Sequence, residues 1–540
     1  MAYKGVPTSS KKKLLHRLDV LQEISVELLK ERDPKKLLNL IISRALNLMV
    51  GDAGSLYLKD QEDNLIFEVA INHSTKQDLG RLKLPLNSSG IAVYCFNTKT
   101  ALRVDDVHHL SADAQYTFNG GKDKDLNYRS RTMICHPLMT SQDEVLGVIQ
   151  IINKKNKGKE LWPSHDEAAI AKMPLFNEED EKLLKSFASL ASAALENTGL
   201  YKNINNLLEG FVHAAVSAIE SRDLSTSGHS ERVAVLTTGL AENISSSRDR
   251  HLRNISFNDQ QLEEIRYASL LHDFGKIGIK ENILLKSEKL YPEQKAAIKA
   301  RLDEFSHVGE INILRRYMDK LAEDNRAPTK FELKKMENNI HNFRQKMNFH
   351  WQKILSLNTT SVLQEDNTSI LNELKKITFP KRDGDVFPLL EKAELTFLSI
   401  KKGSLTERER DEINMHVTHT YEFLKEIPWT KKFSNLVDIA HAHHEKLDGT
   451  GYPRGLKGNA IPVQSKIMTI ADIFDALVAM DRPYKKAVPI EKALFILEDE
   501  VKNGKLDSAF FNVFLEGKIW KKEEFLKHMV QPPRRKKKAA

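Results

Sequence analysis

The sequence predicts a multidomain protein, with an α+β domain in the first two hundred residues joined by a long helix to an all-α domain that carries a helical insertion. Three observations predict it. The apolar period changes from helical to alternating and back before residue 200. One helical pattern then runs without proline from Glu178 to about Ile219, and almost everything after residue 210 keeps helical spacing. At 540 residues the chain is too long for one ordinary core and suits two or three domains. Its 41% hydrophobic and 29% charged residues are the proportions of a globular chain, neither disordered nor membrane-embedded.

Residues 1–20 read as an N-terminal tail, and the first 45 or so residues carry a helical pattern through Leu18, Leu21, Ile24, Leu28 and Leu29. "AGSLYLKDQEDNLIFEVAIN" (53–72) alternates on either side of a polar break, which predicts a hairpin. "RTMICHPLMT" (131–140) and "VLGVIQIINKKN" (145–156) flank a turn-like "SQDE" and read as two more strands. The longest apolar run, "VLGVIQII", has the length of a buried strand and is too short to span a bilayer. Beyond Glu178, residues Leu183, Leu184, Phe187, Leu190, Leu195, Leu200, Ile204, Leu207, Leu208 and Phe211 recur every three or four positions. Such a stripe is exposed in a single copy, so a parallel homodimer is expected. Within 301–400, Met336, Ile340, Phe343, Met347, Trp351 and Leu355 step by four and three, which predicts an inserted helical hairpin with a coiled seam and no chemistry of its own.

The N-terminus lacks the apolar core of a secretory signal, and two cysteines, Cys95 and Cys135, fit a reducing cytoplasm. Net charge is +8, part of it in the basic tail 531–540, which is expected to be solvated rather than to bind nucleic acid.

Five segments of the second half concentrate imidazoles and carboxylates: "STSGHSERV" with His229, "SLLHDFGKIGI" with His272, Asp273 and Lys276, "INMHVTHTY" with His416 and His419, "AHAHHEKLDGTGYP" with His443 and His444, and "MTIADIFDAL" with Asp472. Nitrogen and oxygen donors without a thiolate suit first-row transition metals. Adjacent His272 and Asp273 let one backbone segment serve two ions, because a carboxylate has two oxygens and an imidazole offers one nitrogen. His229, His272 and Asp472 would serve the first ion; His416 and the paired His443 and His444 would serve the second.

The first two hundred residues resemble the GAF sensory domain, on "GDAGSLYL", "SSGIAVYCFNTKTALRVDDV", "LNYRSRTMICHPL" and "EVLGVIQIINKKN". Asn153 and Lys154, followed by Phe176, Asp180 and Glu181, match the pattern of GAF domains that bind cyclic nucleotides. The resemblance implies a fold-stabilising lysine and carboxylate pair, and admits a cyclic-nucleotide ligand.

The ligand-bearing segments are similar to the HD-GYP branch of the HD hydrolases, on "HDFGKIGI", "HHEKLDGTGYP" and "ADIFDALVAMDRPYKKA". That resemblance implies a cytoplasmic, metal-dependent phosphodiesterase that opens cyclic di-GMP to pGpG, GMP or both by a metal-bridging hydroxide. The ligands would be His229, His272, Asp273, His416, His443, His444 and Asp472 around two divalent ions, iron or manganese before zinc, cobalt or nickel, with Asp273 bridging. Asp273 and Lys276 would be catalytic. Lys276, Tyr452, Arg482 and Lys485 would bind substrate, and Gly451, Tyr452 and Pro453 would shape the adjoining loop. His419 lies outside the ligand pattern and reads as structural. Ser225 stands where some members place a glutamate and hold a third metal, so two metals are expected. The implied division is a GAF domain with flanking helices over 21–200, an HD-GYP domain over 201–300 and 401–530, and the insertion over 301–400. The alternatives are hydrolysis of another cyclic dinucleotide, or a catalytically silent sensor or scaffold.

Overall fold

The computed structural model describes residues 8–75, 82–158, 160–163, 166–222, 228–359, 362–363, 365–380, 386–479, 487–522 and 525–527. The chain divides into two compact units, 1–208 and 209–540. Among the described residues no helix is long and apolar enough to cross a membrane.

The first unit is built on six antiparallel strands: β1 (Gly51–Lys59), β2 (Asn64–Asn72), β3 (Lys83–Pro85), β4 (Leu102–Val104), β5 (Met133–Met139) and β6 (Val145–Lys154), in the order β3-β2-β1-β6-β5-β4. The predicted hairpin is β1–β2, and the two later runs are β5 and β6, with β6 crossing back to pair with β1 as Leu56 opposite Ile149. Side chains alternate across the pleat. Ile149 and Ile151 pack with Leu56 under Ile41, Ile42 and Leu46 of the helix Pro34–Met49 and Leu184 and Phe187 of the helix Glu178–Arg222. Val148 faces the other way, against Tyr57, Phe67 and the helix Ile91–Thr98.

The N-terminal helical pattern is two helices, Thr8–Lys30 and Pro34–Met49, not one. Asp33 and Pro34 cause the break. The Asp33 carboxylate accepts from the backbone N–H of Lys35 at 2.8 Å and Lys36 at 3.1 Å, and Pro34 sits where a helix needs no donor.

The expected lysine–carboxylate pair is Lys154 with Asp180. Asp180 also belongs to a reciprocal cap that starts the long helix: its N–H donates to Asn177 Oδ1 at 3.0 Å, and its carboxylate accepts from the Asn177 N–H at 2.8 Å. Lys154 thereby ties the end of β6 to the helix start. Asn153 holds the neighbouring loop, accepting from the Arg131 N–H at 2.7 Å and donating to Tyr128 Oη at 2.8 Å.

Among the described residues the second unit is helical apart from a small ribbon, β7 (Thr378–Pro380) with β8 (Val386–Pro388). The helix His229–Ser245 packs against Asp259–Leu271 and Val463–Val478, burying Leu236, Leu240, Ile265, Ile470 and Phe474. The expected helical hairpin is formed by Pro292–Glu323 and Lys330–Thr359. Its seam holds at Phe343, which packs on Gly309, and at Met347, then passes to Ile354 and Leu357 in place of Leu355. A straight helix of 3.6 residues per turn drifts out of a 3.5-residue stripe over this length. The segments before and after this hairpin are joined where the Lys286 ammonium meets the Glu409 carboxylate at 2.7 Å, in the first turn of the helix Glu407–Asn414 that leads to His416.

Candidate metal centre

Each candidate ligand stands at a helix terminus or inside the second unit's core. His229 opens the helix His229–Ser245, His272 ends Asp259–Leu271, and Asp273 leads into the tight turn Phe274–Gly278. His416 opens His416–Lys425, His443 and His444 follow Leu436–His441, and Asp472 lies within Val463–Val478. The fold brings all seven together. Their donor atoms form two groups, His229 with His272 and Asp273, and His416 with His443 and His444.

Asp273 faces both groups. Its Oδ2 lies 3.3 Å from His272 Nε2 and 3.7 Å from His229 Nε2, while Oδ1 lies 3.1 Å from His416 Nε2. Asp472 spans them in the same way, with Oδ1 at 3.3 Å from His229 Nε2 and Oδ2 at 3.7 Å from His444 Nδ1.

Three imidazoles share one local device. His272, His416 and His443 each donate from Nδ1 to the carbonyl three residues earlier: Ser269 at 2.6 Å, Ile413 at 2.7 Å and Ala440 at 2.7 Å. A carbonyl can only accept, so Nδ1 carries the proton and Nε2 is left to face the centre. All three Nε2 atoms are buried and lack a hydrogen-bond partner among the described residues. At His272 and His416 these lone pairs are aimed at the Asp273 carboxylate 3.3 and 3.1 Å away and repel it unless positive charge stands between them, so this donor set fits divalent cations.

The electrostatics agree at His443, His444 and Asp273, whereas His229 without a cation beside it favours its protonated form. Burial drives His443 well below the usual imidazole range and His444 down to about 3, so both rings are neutral donors. Burial alone would neutralise Asp273, but the Lys276 ammonium and the neighbouring imidazoles outweigh it and keep the carboxylate ionised. At His229, burial opposes charge, and the Asp472 and Asp475 carboxylates overcome it to hold the ring up at about 9. Lys276 Nζ sits 2.7 Å from Asp273 Oδ2. Tyr452, half-buried, packs its ring against His444 at a tilt of 40° with centroids 4.8 Å apart, at the more open edge of the centre.

Supporting residues hold these groups, and of them Asp475, Thr420 and Thr469 were not singled out by the sequence. Asp475, one turn beyond Asp472, accepts from His229 Nδ1 at 2.7 Å and from Arg232 at 2.7 and 3.1 Å. The i, i+3 spacing of the two aspartates on one helix is the signal that could have found it. Thr420 Oγ1 donates to His272 O at 3.0 Å and accepts from the Gly275 N–H at 2.8 Å; Thr469 Oγ1 donates to His443 O at 2.7 Å. Buried Glu445 accepts from the N–H groups of Arg454 and Leu456 at 2.8 and 2.9 Å, folding the glycine-rich loop back on the paired histidines. Only glycine fits at 451, where a Cβ would lie 2.3 Å from the Lys446 nitrogen. His419 packs its ring beside Gly278 and its Cβ beside Gly275, and it belongs to neither ligand group. Arg482, Lys485 and Ser225 lie outside the described residues.

Comparison with known families places these features. A GAF-domain model matches residues 33–195, and HD-domain models match residues 226–337 and 393–510. The chain carries a GAF domain and an HD domain. Both candidate ligand groups fall within the matched HD segments. Similar proteins include 3'3'-cGAMP-specific phosphodiesterase 3 of Vibrio cholerae, 48% identical over 19% of this chain and 21% of that protein. The cyclic di-GMP phosphodiesterase response regulator RpfG of Xanthomonas campestris is 42% identical over 18% and 25%. A cyclic di-GMP phosphodiesterase of Thermotoga maritima is 40% identical over 20% and 28%. The likeness thus spans about a quarter of the length of each of these relatives.

Proposed function

We propose that the HD domain is a metal-dependent phosphodiesterase of guanine-containing cyclic dinucleotides, cyclic di-GMP first. The observation that carries this reading is the set of three buried Nε2 atoms, tautomerically committed as acceptors, two of which face the Asp273 carboxylate at 3.1–3.3 Å. His229, His272, Asp273 and Asp472 would hold one ion, and His416, His443 and His444 with Asp273 the other. The donors suit iron or manganese, and zinc, cobalt or nickel can use the same set. Bound there, a pair of divalent ions supplies Lewis acidity, acidifying water and neutralising the phosphodiester charge.

The chain's own residues supply the rest. Lys276 places a fixed cation beside Asp273, where it would meet a phosphate oxygen and stabilise the charge that grows on it. Nδ1–H bonds to backbone carbonyls raise the basicity of the imidazoles and fix their rings. Tyr452, at the open edge, would touch the substrate. The names of the three relatives support the cyclic-dinucleotide class, and their division between cyclic di-GMP and 3'3'-cGAMP is why guanine is the shared element.

The test offers cyclic di-GMP, 3'3'-cGAMP and cyclic di-AMP to protein purified anaerobically and loaded with ferrous or manganous ion, with products separated by chromatography. Turnover of the guanine-containing substrates is expected, and the His272→Ala, Asp273→Ala double variant should abolish it. Binding without turnover in metal-replete wild type would make the domain a sensor or scaffold instead.

The GAF domain is proposed to regulate this activity. It encloses a cavity of about 550 Å³ lined by Tyr57, Phe67, Leu84, Ser55, Thr117 and Gln150, a size that suits a cyclic nucleotide or similar small ligand. The long helix is proposed to pair with its copy in a parallel homodimer. Leu200, Ile204, Leu207 and Phe211 are 55%, 56%, 74% and 42% exposed and step by four, three and four. Asn197 stands one heptad before Ile204, where a polar residue sets register and strand number.

A further inference from the structure

The last turns of the helix Glu178–Arg222 make polar contacts with the segments that carry one of the two ligand groups. Arg222, its final residue, donates from Nη1 to the carbonyl of Ile277 and from Nη2 to that of Ile279 at 3.3 Å. These carbonyls bracket Gly278 at the end of the turn Phe274–Gly278, which presents Lys276 to Asp273. Upstream, Glu209 accepts from Arg266 at 2.7 and 3.2 Å and from Tyr267 Oη at 2.6 Å, on the helix that ends in His272. Between them, His213 Nδ1 lies 3.3 Å from Glu231, in the first turn of the helix that begins at His229. Residues 209–222 therefore hold every segment bearing His229, His272, Asp273 and Lys276. His416, His443, His444 and Asp472 ride on other segments.

A five-residue turn of this kind has few internal bonds to set its pose. Here they include Lys276 N–H to Asp273 O at 3.0 Å and Ile279 N–H to Lys276 O at 3.1 Å. The carbonyls that end such a turn lack partners inside it, and a planar guanidinium can take two of them at once. Arg222 does so from outside the turn.

We propose that Arg222 is a positioning residue for Lys276, fixing the turn so that the ammonium stands where substrate phosphate arrives. This deepens the phosphodiesterase reading and rests on it. Arg222 is not among the residues placed at the reacting atoms; it acts through the turn, and the end of the long helix becomes the element whose position sets the Lys276 cation.

The test compares wild type, Arg222→Ala, Arg222→Lys, Lys276→Ala and the Arg222→Ala, Lys276→Ala double variant in the full-length, metal-loaded protein. Arg222→Ala is expected to lower kcat/KM for cyclic di-GMP about tenfold, the size of a lost charge-assisted hydrogen bond, with wild-type metal content. Arg222→Lys should recover part of that loss. In the Lys276→Ala background the same change should cost less than about twofold, because residues acting through one another are not additive. Hydrogen exchange supplies a readout independent of catalysis: amides 274–280 should exchange faster in Arg222→Ala, with 416–425 unchanged. An undiminished Arg222→Ala effect in the Lys276→Ala background, or unaltered exchange at 274–280, would overturn the proposal. Should Arg222→Ala not fold, Arg222→Lys carries the same comparison with one ammonium in place of the fork. Should wild type turn over no cyclic dinucleotide, the phosphodiesterase reading falls, and the exchange measurement alone decides whether Arg222 holds the turn.

Discussion

Gly275 tests how the two ligand groups are held in register. A Cβ there would lie 1.9 Å from His416 O and 2.4 Å from Thr420 N, both backbone atoms of the helix His416–Lys425. Ordinary contact begins near 3.4 Å, so turn and helix must separate by about 1.5 Å. Metal coordination tolerates only about 0.2 Å. Gly275→Ala therefore pulls His416 Nε2 away from Asp273 Oδ1, now 3.1 Å apart, while His229, His272 and Asp273 stay together. Overpacking of this kind costs about 1–3 kcal/mol, a fall in Tm of roughly 1–4 °C for a unit of this size. The variant is expected to fold, to bind one metal equivalent in place of two, and to lose about a hundredfold in turnover, as misplacement of a reacting group by an ångström does. Elemental analysis and calorimetry of the purified variant check both halves. Full metal content with wild-type turnover would refute the reasoning, because it would show that the turn and helix can separate without consequence.

Three further outcomes are expected. Asp475→Asn replaces the carboxylate that orients His229 and faces Arg232; metal affinity should drop about 10- to 100-fold, with about 3 kcal/mol less stability from the buried guanidinium, read by metal titration and calorimetry. Glu209 is held down at about 2 by its hydrogen bonds from Arg266, against burial, so its contribution is present above about pH 4.5 and is lost as pH falls toward 2. The Tm gap between wild type and Glu209→Gln should therefore be small but steady from pH 7 to 5, since the pair is a third exposed, and close on further acidification; a gap that widens there would contradict it. Light scattering of wild type should give twice the chain mass of 61.6 kDa, and Ile204→Glu with Leu207→Glu one chain mass; a monomeric wild type would remove the paired-helix proposal.

Elements with a strong period were legible before any coordinates. The hairpin of β1 and β2, the strands β5 and β6 and the long helix follow from alternation or from helical spacing over many residues. Short strands β3 and β4, of three residues each, carry too little period to be seen. The break at Asp33 and Pro34 was legible in principle, since a capping aspartate followed by proline starts a helix afresh, but the continuous apolar stripe masked it. In the site, histidines stood out by residue type. Glu445 was conspicuous in the loop, yet its task of accepting two backbone N–H groups depends on how that loop closes.

Residue order by itself determined the donor chemistry and the pairing of His272 with Asp273 and of His443 with His444; the tautomers of three rings rest on contacts almost as local, each Nδ1 bonding a carbonyl three positions back in the chain. Tertiary structure decided what no local interaction can: that Asp273 turns one oxygen toward each ligand group, that Asp475 reaches His229 across 246 positions of chain, and that Arg222 closes on the turn of Lys276. The physical reason is range. Capping and i−3 bonds act within one turn of helix and are written in adjacent residues, whereas the meeting of separate segments is set by how buried faces such as those of Ile265, Leu240 and Ile470 pack together.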